Sequence, residues 1–278
     1  MIQRMNRFPI QLMKQTKTTA KDTAFIRRVL LHHEKYGRHD LVWRKNITPY
    51  KILVSEVMLQ QTQVARVVPK FEAWMKAYPT LEALSKASFK DILVLWQGLG
   101  YQRRAKALYA IAGVSKKLPR SFDELCKLPG IGTYTASAIC AFAYDEFTHP
   151  VLETNVRTVL IEEYHQGKIS IHDGVLYDDL ARLVSSKQVE KVGARTWYYA
   201  LMDYGAHLKV SRISHNEKSA HYAKQSVYKG SVRELRAKTL FAVAHKDDLP
   251  QDVRTPDVIK KLIVEGYIEK RGKGYSII

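Results

Sequence analysis

The sequence predicts an all-α fold, and three observations support this prediction. Amphipathic segments with apolar residues at helical spacing follow one another from about residue 24 to residue 209. Glycine, proline and asparagine separate these segments at distances that suit short helices. The alternation of strand and helix patterns that builds a parallel sheet is not found, which argues against an α/β fold.

Local signals place the helices of the first 210 residues. Thr48 followed by Pro49 combines a cap residue with a proline at the first helical position. Ser121 and Glu124 have the spacing of a capping box, which predicts another helix start. Further helices are predicted at residues 81–85, 89–96, 134–142, 155–164 and 195–204.

The chain changes character after residue 210. Residues 211–230 are polar and basic, as in a linker. Residues 231–246 have the helical pattern again, and Thr255-Pro256 repeats the cap-and-proline signal. Residues 267–278 alternate around a glycine-bearing turn, which predicts a hairpin. The predicted domains are a helical core at 1–210, a basic linker at 211–230 and a small winged-helix-like module at 231–278.

The composition is strongly basic. Lys and Arg number 45 against 27 Asp and Glu, which gives a formal net charge of +18 at pH 7. This charge favours a polyanionic partner such as a nucleic acid, through phosphate neutralisation and counterion release. A basic surface that only keeps the protein in solution is the alternative.

Composition also excludes several classes of protein. The chain is 46% hydrophobic, enough for a core and too much for a disordered protein. Its two cysteines, Cys126 and Cys140, are too few for a disulfide framework, a four-cysteine zinc site or a cysteine-ligated iron–sulfur cluster. The basic N-terminus lacks the apolar run of a signal peptide, and no segment reaches the length of a membrane span. We expect a soluble, cytoplasmic protein without a metal or other cofactor.

Residues 128–132, Leu-Pro-Gly-Ile-Gly, lie between two predicted helices. Glycines let the backbone turn tightly and leave its amides accessible, and the next helix directs its positive end outward. This is the helix-hairpin-helix pattern, which binds a DNA backbone without reading its sequence. Gly130, Gly132 and Thr135 are the candidate backbone contacts, and an ordinary corner between helices is the alternative for the five residues alone.

Two acidic residues are candidates for chemistry. Glu153 lies in a polar turn at residues 152–157, where a carboxylate before a helix also suits a cap. Glu56 shares a helix face with Ile52 and Leu53. An acid at an apolar position is costly unless it is protonated, paired or used, and burial raises its pKa toward the range in which it donates a proton near neutrality. A salt bridge to an arginine is the alternative for Glu56.

These motifs together resemble the adenine DNA glycosylases of the MutY family, in the endonuclease III superfamily, over about residues 41–209. The strings that carry the resemblance are Trp43-Arg44, Pro49-Tyr50-Lys51, residues 55–64, residues 96–101 (Trp-Gln-Gly-Leu-Gly-Tyr), the hairpin 128–132, the turn 152–157 and residues 200–205 (Ala-Leu-Met-Asp-Tyr-Gly).

The resemblance implies a two-lobed helical fold with the active site in the cleft between the lobes. Bent DNA is expected there, with the target base flipped into a pocket. Glu56 resembles the acid that protonates the leaving purine, and Glu153 falls where the family has its catalytic aspartate. Asn155 and Tyr134 are similar to groups that orient this carboxylate. The implied substrate-contacting residues are Arg44 and Asp203 at the adenine pocket, Gln61 and Tyr101 at the wedge that enters the base stack, and Leu59.

Chemistry agrees with this assignment independently. Cleavage of an N-glycosidic bond needs an acid for the leaving base and an anion for the positive charge that develops on the sugar. Tyr134 stands where bifunctional relatives have a lysine nucleophile, so we expect a monofunctional enzyme that uses water. The expected enzyme is a nucleoid-associated monomer that acts in base excision repair. Its expected substrate is double-stranded DNA with a mispaired or damaged base, and the base it is most expected to remove is adenine opposite guanine or 8-oxoguanine.

Three departures from the family pattern keep alternatives open. Glu153 replaces an aspartate, and Lys209 stands where the first of four iron–sulfur cysteines would be. The family's domain that checks for 8-oxoguanine does not fit in the residues after Lys229. A glycosylase for mispaired thymine or another modified base, and a catalytically weak protein that binds distorted DNA, are the alternatives.

Overall fold

The computed structural model describes residues 17–211, 213, 215–218 and 227–278. Within these residues the regular elements are helices apart from one C-terminal hairpin, which confirms the all-α prediction. The helices are α1 (Ala20–Tyr36), α2 (Pro49–Leu59), α3 (Val64–Ala77), α4 (Leu81–Ser85), α5 (Phe89–Leu95), α6 (Arg103–Val114), α7 (Phe122–Leu125), α8 (Thr133–Tyr144), α9 (Thr154–Tyr164), α10 (Asp173–Val184), α11 (Lys187–Val210), α12 (Val232–His245) and α13 (Thr255–Val264). Strands β1 (Ile268–Arg271) and β2 (Gly274–Ile277) follow.

The first of two compact units contains Met1–Leu53 and Pro119–Ala223. Its centre is α11, which packs against α9 and α1. Phe25 of α1 is fully buried and meets the rings of Tyr164 and Trp197 edge-on, with centroids 5.6 and 6.4 Å away. These edge-to-face contacts add to the stabilisation from burial and hold the three helices together.

The second unit contains Val54–Leu118 and Lys224–Ile278. Trp74 and Trp96 are buried and pack edge-to-face in its core, 5.6 Å apart. The predicted C-terminal hairpin is confirmed, with β1 and β2 antiparallel and Ile268 opposite Ile277. Helices α12 and α13 pack on each other and on this hairpin, and α12 also packs on α5.

Several helix boundaries differ from the predictions. Helix α11 extends well beyond residues 195–204 at both ends and kinks at Gly193, whose φ of +82° is unsuitable for other residues. The prediction of a capping box at Ser121 is wrong, because the Ser121 side chain makes no cap hydrogen bond to the four-residue α7. Thr255 is the first residue of α13 rather than its cap, and its hydroxyl donates to the Pro250 carbonyl at 2.9 Å.

Parts of two predictions fall outside the described residues. Residues 212, 214 and 219–226 of the predicted linker at 211–230 are among them, as are residues 1–16 at the basic N-terminus. Among the helices that are described, none combines the length and the apolar character needed to cross a membrane. The predicted domain boundaries stay predictions.

Candidate active site

The carboxylate of Glu153 is held by four hydrogen bonds at the start of α9. Its Oε1 accepts from the backbone amides of Asn155 and Val156, at 2.8 and 3.1 Å. Its Oε2 accepts from the Thr154 hydroxyl at 3.0 Å and from the Asn155 side-chain amide at 3.2 Å. Glu153 is therefore the N-cap of α9, and the same bonds fix the orientation of a half-buried anion.

The backbone of α11 lies directly against this turn. A Cβ atom built on Gly205 would come within 2.4 Å of the Asn155 carbonyl oxygen. Only glycine allows this approach, which places the last turns of α11 beside Glu153 and Asn155. The resemblance pointed to Gly205 in residues 200–205, but the contact with Asn155 had no local signal.

Glu56 is buried, with 8% of its surface exposed. Its helix is buried on more than one face, since every residue from Ile52 to Met58 is buried. The expected burial of this acid is thus confirmed. The sequence predicted one apolar face for this helix, whereas in the structure its other faces are buried as well. Its role as a proton donor stays a prediction.

Arg44 and Asp203, the predicted adenine-pocket residues, form a bidentate ion pair with each other. The two guanidinium nitrogens of Arg44 lie 2.8 and 3.0 Å from the Asp203 oxygens. Arg38 and His33 also bond to this carboxylate, at 2.6 and 2.9 Å. Arg44 lies 4.0 Å above the ring of Tyr199. The network connects the segment after α1 to α11.

The electrostatics of Asp203 follow from these partners. Burial by itself raises the pKa of the Asp203 carboxyl group, but hydrogen bonds from His33 and Arg44 and the charges of Arg44 and Arg38 outweigh it and hold the pKa well below its usual value. Asp203 is therefore an anion at neutral pH, with both oxygens engaged by protein groups.

The helix-hairpin-helix turn has the local geometry that its sequence predicts. Gly130 has a φ of +73°, and Gly132 is the N-cap of α8 with no side-chain hydrogen bond to the first turn. Gly132 is exposed, whereas the Thr135 side chain is 2% exposed. Tyr134 is half-buried in the first turn of α8.

In the second unit, a buried arginine organises the segments that carry Leu59, Gln61 and Tyr101. Arg104 donates to a hydroxyl and to backbone carbonyls of both segments, and its partners are the carbonyls of Val57, Met58, Gln60, Leu99 and Gly100 at 2.6–3.1 Å and the Thr62 hydroxyl at 3.1 Å. Burial lowers the pKa of Arg104 to about 10, so the guanidinium is still charged at neutral pH. Sequence analysis missed this residue, because its partners lie up to 47 positions away.

Two residues on these segments have backbone conformations that most side chains avoid. The φ angles of Gln61 and Tyr101 are +56° and +47°. Such strain persists only where the surroundings impose it, and Arg104 hydrogen-bonds to neighbours of both residues, namely Gln60, Thr62 and Gly100. Both residues line a cavity of about 1430 Å³ between residues 96–103 and α12. Arg233 of α12 donates to the Tyr101 hydroxyl at 2.7 Å.

The cysteines do not fit the four-cysteine iron–sulfur cluster of the family pattern. Such a cluster needs four thiolates, and the 278 residues contain Cys126, half-buried, and Cys140, buried in α8. Among the residues that the structure describes, no group of three or more His, Cys, Asp or Glu side chains is placed to hold a metal ion.

Comparisons with known proteins place this chain in a family. The profile of the HhH-GPD superfamily base excision DNA repair proteins matches residues 54–225. The adenine DNA glycosylase of Mycolicibacterium smegmatis is 34% identical over 284 residues, which cover 88% of this chain and 93% of that protein. The adenine DNA glycosylase of Buchnera aphidicola (from Schizaphis graminum) is 40% identical, over 50% of this chain and 42% of that protein. The match thus spans less than half the length of the Buchnera protein.

Solved structures share the fold. A thermostable thymine-DNA glycosylase superposes with a TM-score of 0.59 at 23% identity, covering 71% of this chain and 92% of that one. An endonuclease III in a trapped covalent DNA complex gives a TM-score of 0.54 at 17% identity, covering 79% and 96%. These likenesses establish the architecture. The family profile and the Mycolicibacterium relative show that this chain belongs to the helix-hairpin-helix base excision repair superfamily and, within it, to the MutY-type adenine DNA glycosylase family.

Proposed function

We propose that this protein is a monofunctional DNA glycosylase of base excision repair that releases mispaired adenine from double-stranded DNA. The observation that carries the proposal is the Glu153 carboxylate, held by four hydrogen bonds at the start of α9. Membership of the adenine glycosylase family supports the choice of adenine.

The proposed reaction divides the chemistry between two acids. Glu56, buried in α2, donates a proton to the base, so that the purine leaves as a neutral molecule. Positive charge then develops on the sugar, and the Glu153 anion stabilises it. Because the four donors already fix this carboxylate, little reorganisation is needed in the transition state. Asn155 supplies two of the four donors and is thus the orienting group.

Water completes the proposed reaction. The position that holds a lysine nucleophile in bifunctional relatives is Tyr134, whose phenol does not form a Schiff base. Water therefore attacks the sugar, and the expected product is an intact strand with an abasic site.

DNA is held in this proposal by backbone contacts. The N-cap of α8 is the exposed Gly132, which has no side chain, so a phosphate oxygen can approach the positive end of this helix. Gln61 and Tyr101 are proposed to enter the base stack from their strained segments. We propose that the protein acts as a monomer without a cofactor.

A panel of labelled duplexes tests the substrate. Each duplex carries one mispair or damaged base, and alkali after incubation cuts the strand wherever a base has been released. Release of adenine opposite guanine or 8-oxoguanine, with an intact strand before alkali and no borohydride-trapped adduct, is the expected result. Release of thymine or another base in place of adenine would contradict the proposal and identify that base as the substrate.

Two substitutions test the division of roles. Glu153→Gln and Glu56→Gln are each expected to slow adenine release at least about a hundredfold, because each removes one charge or proton that the transition state needs. Affinity for the duplex should change little, as measured by fluorescence anisotropy. Asp178→Asn, at an exposed carboxylate on α10, is the matched control and should retain activity. Parallel loss of binding and turnover would argue that Glu153 is only a structural cap.

A further inference from the structure

Lys209, near the end of α11, reaches the turn that holds Glu153. Its Nζ donates to the Thr154 hydroxyl at 3.3 Å, and the same hydroxyl donates to Glu153 Oε2 at 3.0 Å. Lys209 lies one helical turn after Gly205, on the same face of α11. The close approach of Gly205 to Asn155 is what brings the lysine over Thr154.

Hydrogen-bond chemistry gives this contact a direction. An ammonium group has three donors and no acceptor, so Thr154 must accept from Lys209. The single proton of the Thr154 hydroxyl is then left for Glu153 Oε2. The chain from Lys209 through Thr154 to Glu153 therefore supports one of the four bonds that orient the carboxylate.

The electrostatic surroundings agree with this contact. Lys209 is half-buried, and burial lowers the pKa of its amine, while the charge of Glu153 raises it and that of Arg38 lowers it further. Burying a lysine is costly unless the charge is compensated, and here the Thr154 hydroxyl accepts its hydrogen bond while the charge of Glu153 acts on it at longer range.

We propose that Lys209 is a positioning residue for the glycosylase reaction, which acts through Thr154 to hold Glu153 in its catalytic orientation. This inference rests on the proposed function of Glu153. It assigns a role to the lysine that occupies the position of a cluster cysteine in the family pattern.

Single-turnover kinetics test the role. Lys209→Met should slow adenine release about tenfold or more, because a displaced catalytic group costs rate steeply. Its Kd for a duplex with a non-cleavable adenosine analogue should stay within about twofold of wild type. Lys209→Arg, which keeps the donors, should recover most of the rate. Lys191→Met, an exposed lysine on the same helix, is the control for loss of charge and should behave as wild type.

A double-mutant cycle tests the path through Thr154. Lys209→Met and Thr154→Val should be non-additive, because both remove the same chain of bonds. Additive losses would overturn the proposal. A weaker Kd with an unchanged release rate would also overturn it and indicate a DNA phosphate contact. A borohydride-trapped adduct that Lys209→Met abolishes would overturn it in favour of a lysine nucleophile.

Hydrogen exchange separates this proposal from the proposed function. In the DNA-free protein, Lys209→Met should speed exchange of the Asn155 and Val156 amides, which donate to Glu153. This readout needs no substrate. If the wild-type protein releases no adenine, the proposed function is contradicted. If exchange at these two amides is unchanged in Lys209→Met, the positioning role alone is contradicted.

Discussion

At the scale of single residues, Gly205 determines how closely α11 approaches the Glu153 turn. The space for a side chain is taken by backbone atoms, since the Asn155 carbonyl oxygen and carbon would lie 2.4 and 2.7 Å from a Cβ. Backbone of a capped helix start cannot move aside as a flexible side chain can. One glycine therefore sets the positions of both Asn155 and Lys209.

We expect Gly205→Ala to destabilise the protein although alanine is the better helix former. The gain in helix propensity is about 1 kcal/mol. Overpacking costs about 1–3 kcal/mol, and the close approach to backbone atoms places Gly205→Ala at the upper end, for a net loss of up to about 2 kcal/mol. Thermal unfolding should show a Tm several degrees lower. Gly113→Ala in α6 is the matched control, because a Cβ there meets nothing within 4 Å, and its Tm should be equal or slightly higher. An unchanged Tm for Gly205→Ala would mean that the two helices separate easily.

At the scale of structural elements, Arg104 joins the end of α2 to residues 99–100. Helix ends leave carbonyl oxygens without partners, and a cation there is favourable. Arg104 satisfies three such carbonyls after Glu56, those of Val57, Met58 and Gln60. Its guanidinium thus fixes both segments that carry the proposed wedge residues.

Arg104→Met should destabilise the second unit strongly. The substitution keeps the length of the side chain but leaves buried carbonyls without donors, at a cost of about 3 kcal/mol or more in total. Urea unfolding measures this loss. Arg103→Met, at the exposed neighbouring arginine, should change stability by no more than about 0.5 kcal/mol. Hydrogen exchange should also rise in residues 57–62 and 97–101 of Arg104→Met, and protection equal to wild type there would contradict the organising role.

The elements also show which features a sequence can reveal. The start of α2 at Thr48-Pro49, the hairpin at 128–132 and the position of Glu153 before α9 follow from signals a few residues long. Glu153 was expected as either a cap or a catalytic group, and the geometry shows that capping also orients its carboxylate. Lys209 and Arg104 act on partners 55 and up to 47 positions away, and no local pattern encodes such contacts.

At the scale of the whole molecule, the net charge of +18 is the feature that local structure does not explain. Described ion pairs neutralise some basic residues, including Arg44, Arg157 and Arg182. Acidic residues are too few to pair with the rest, because Lys and Arg exceed Asp and Glu by 18. A DNA duplex offers the density of negative charge that this excess suits, and each neutralised phosphate releases a counterion.

Duplex binding should therefore weaken steeply with salt. If five or more phosphates are neutralised, log Kd against log salt concentration has a slope of about 4.5 or more, and affinity falls several-hundredfold between 50 and 200 mM salt. Anisotropy titrations measure this for a duplex with an adenine mispair and for a fully paired duplex, using Glu153→Gln to prevent turnover. Backbone contacts carry no sequence information, so the two slopes should agree while the mispaired duplex binds more tightly at every salt concentration. A slope below about 2, or a slope that appears only with the mispair, would mean that the excess charge lies away from the DNA.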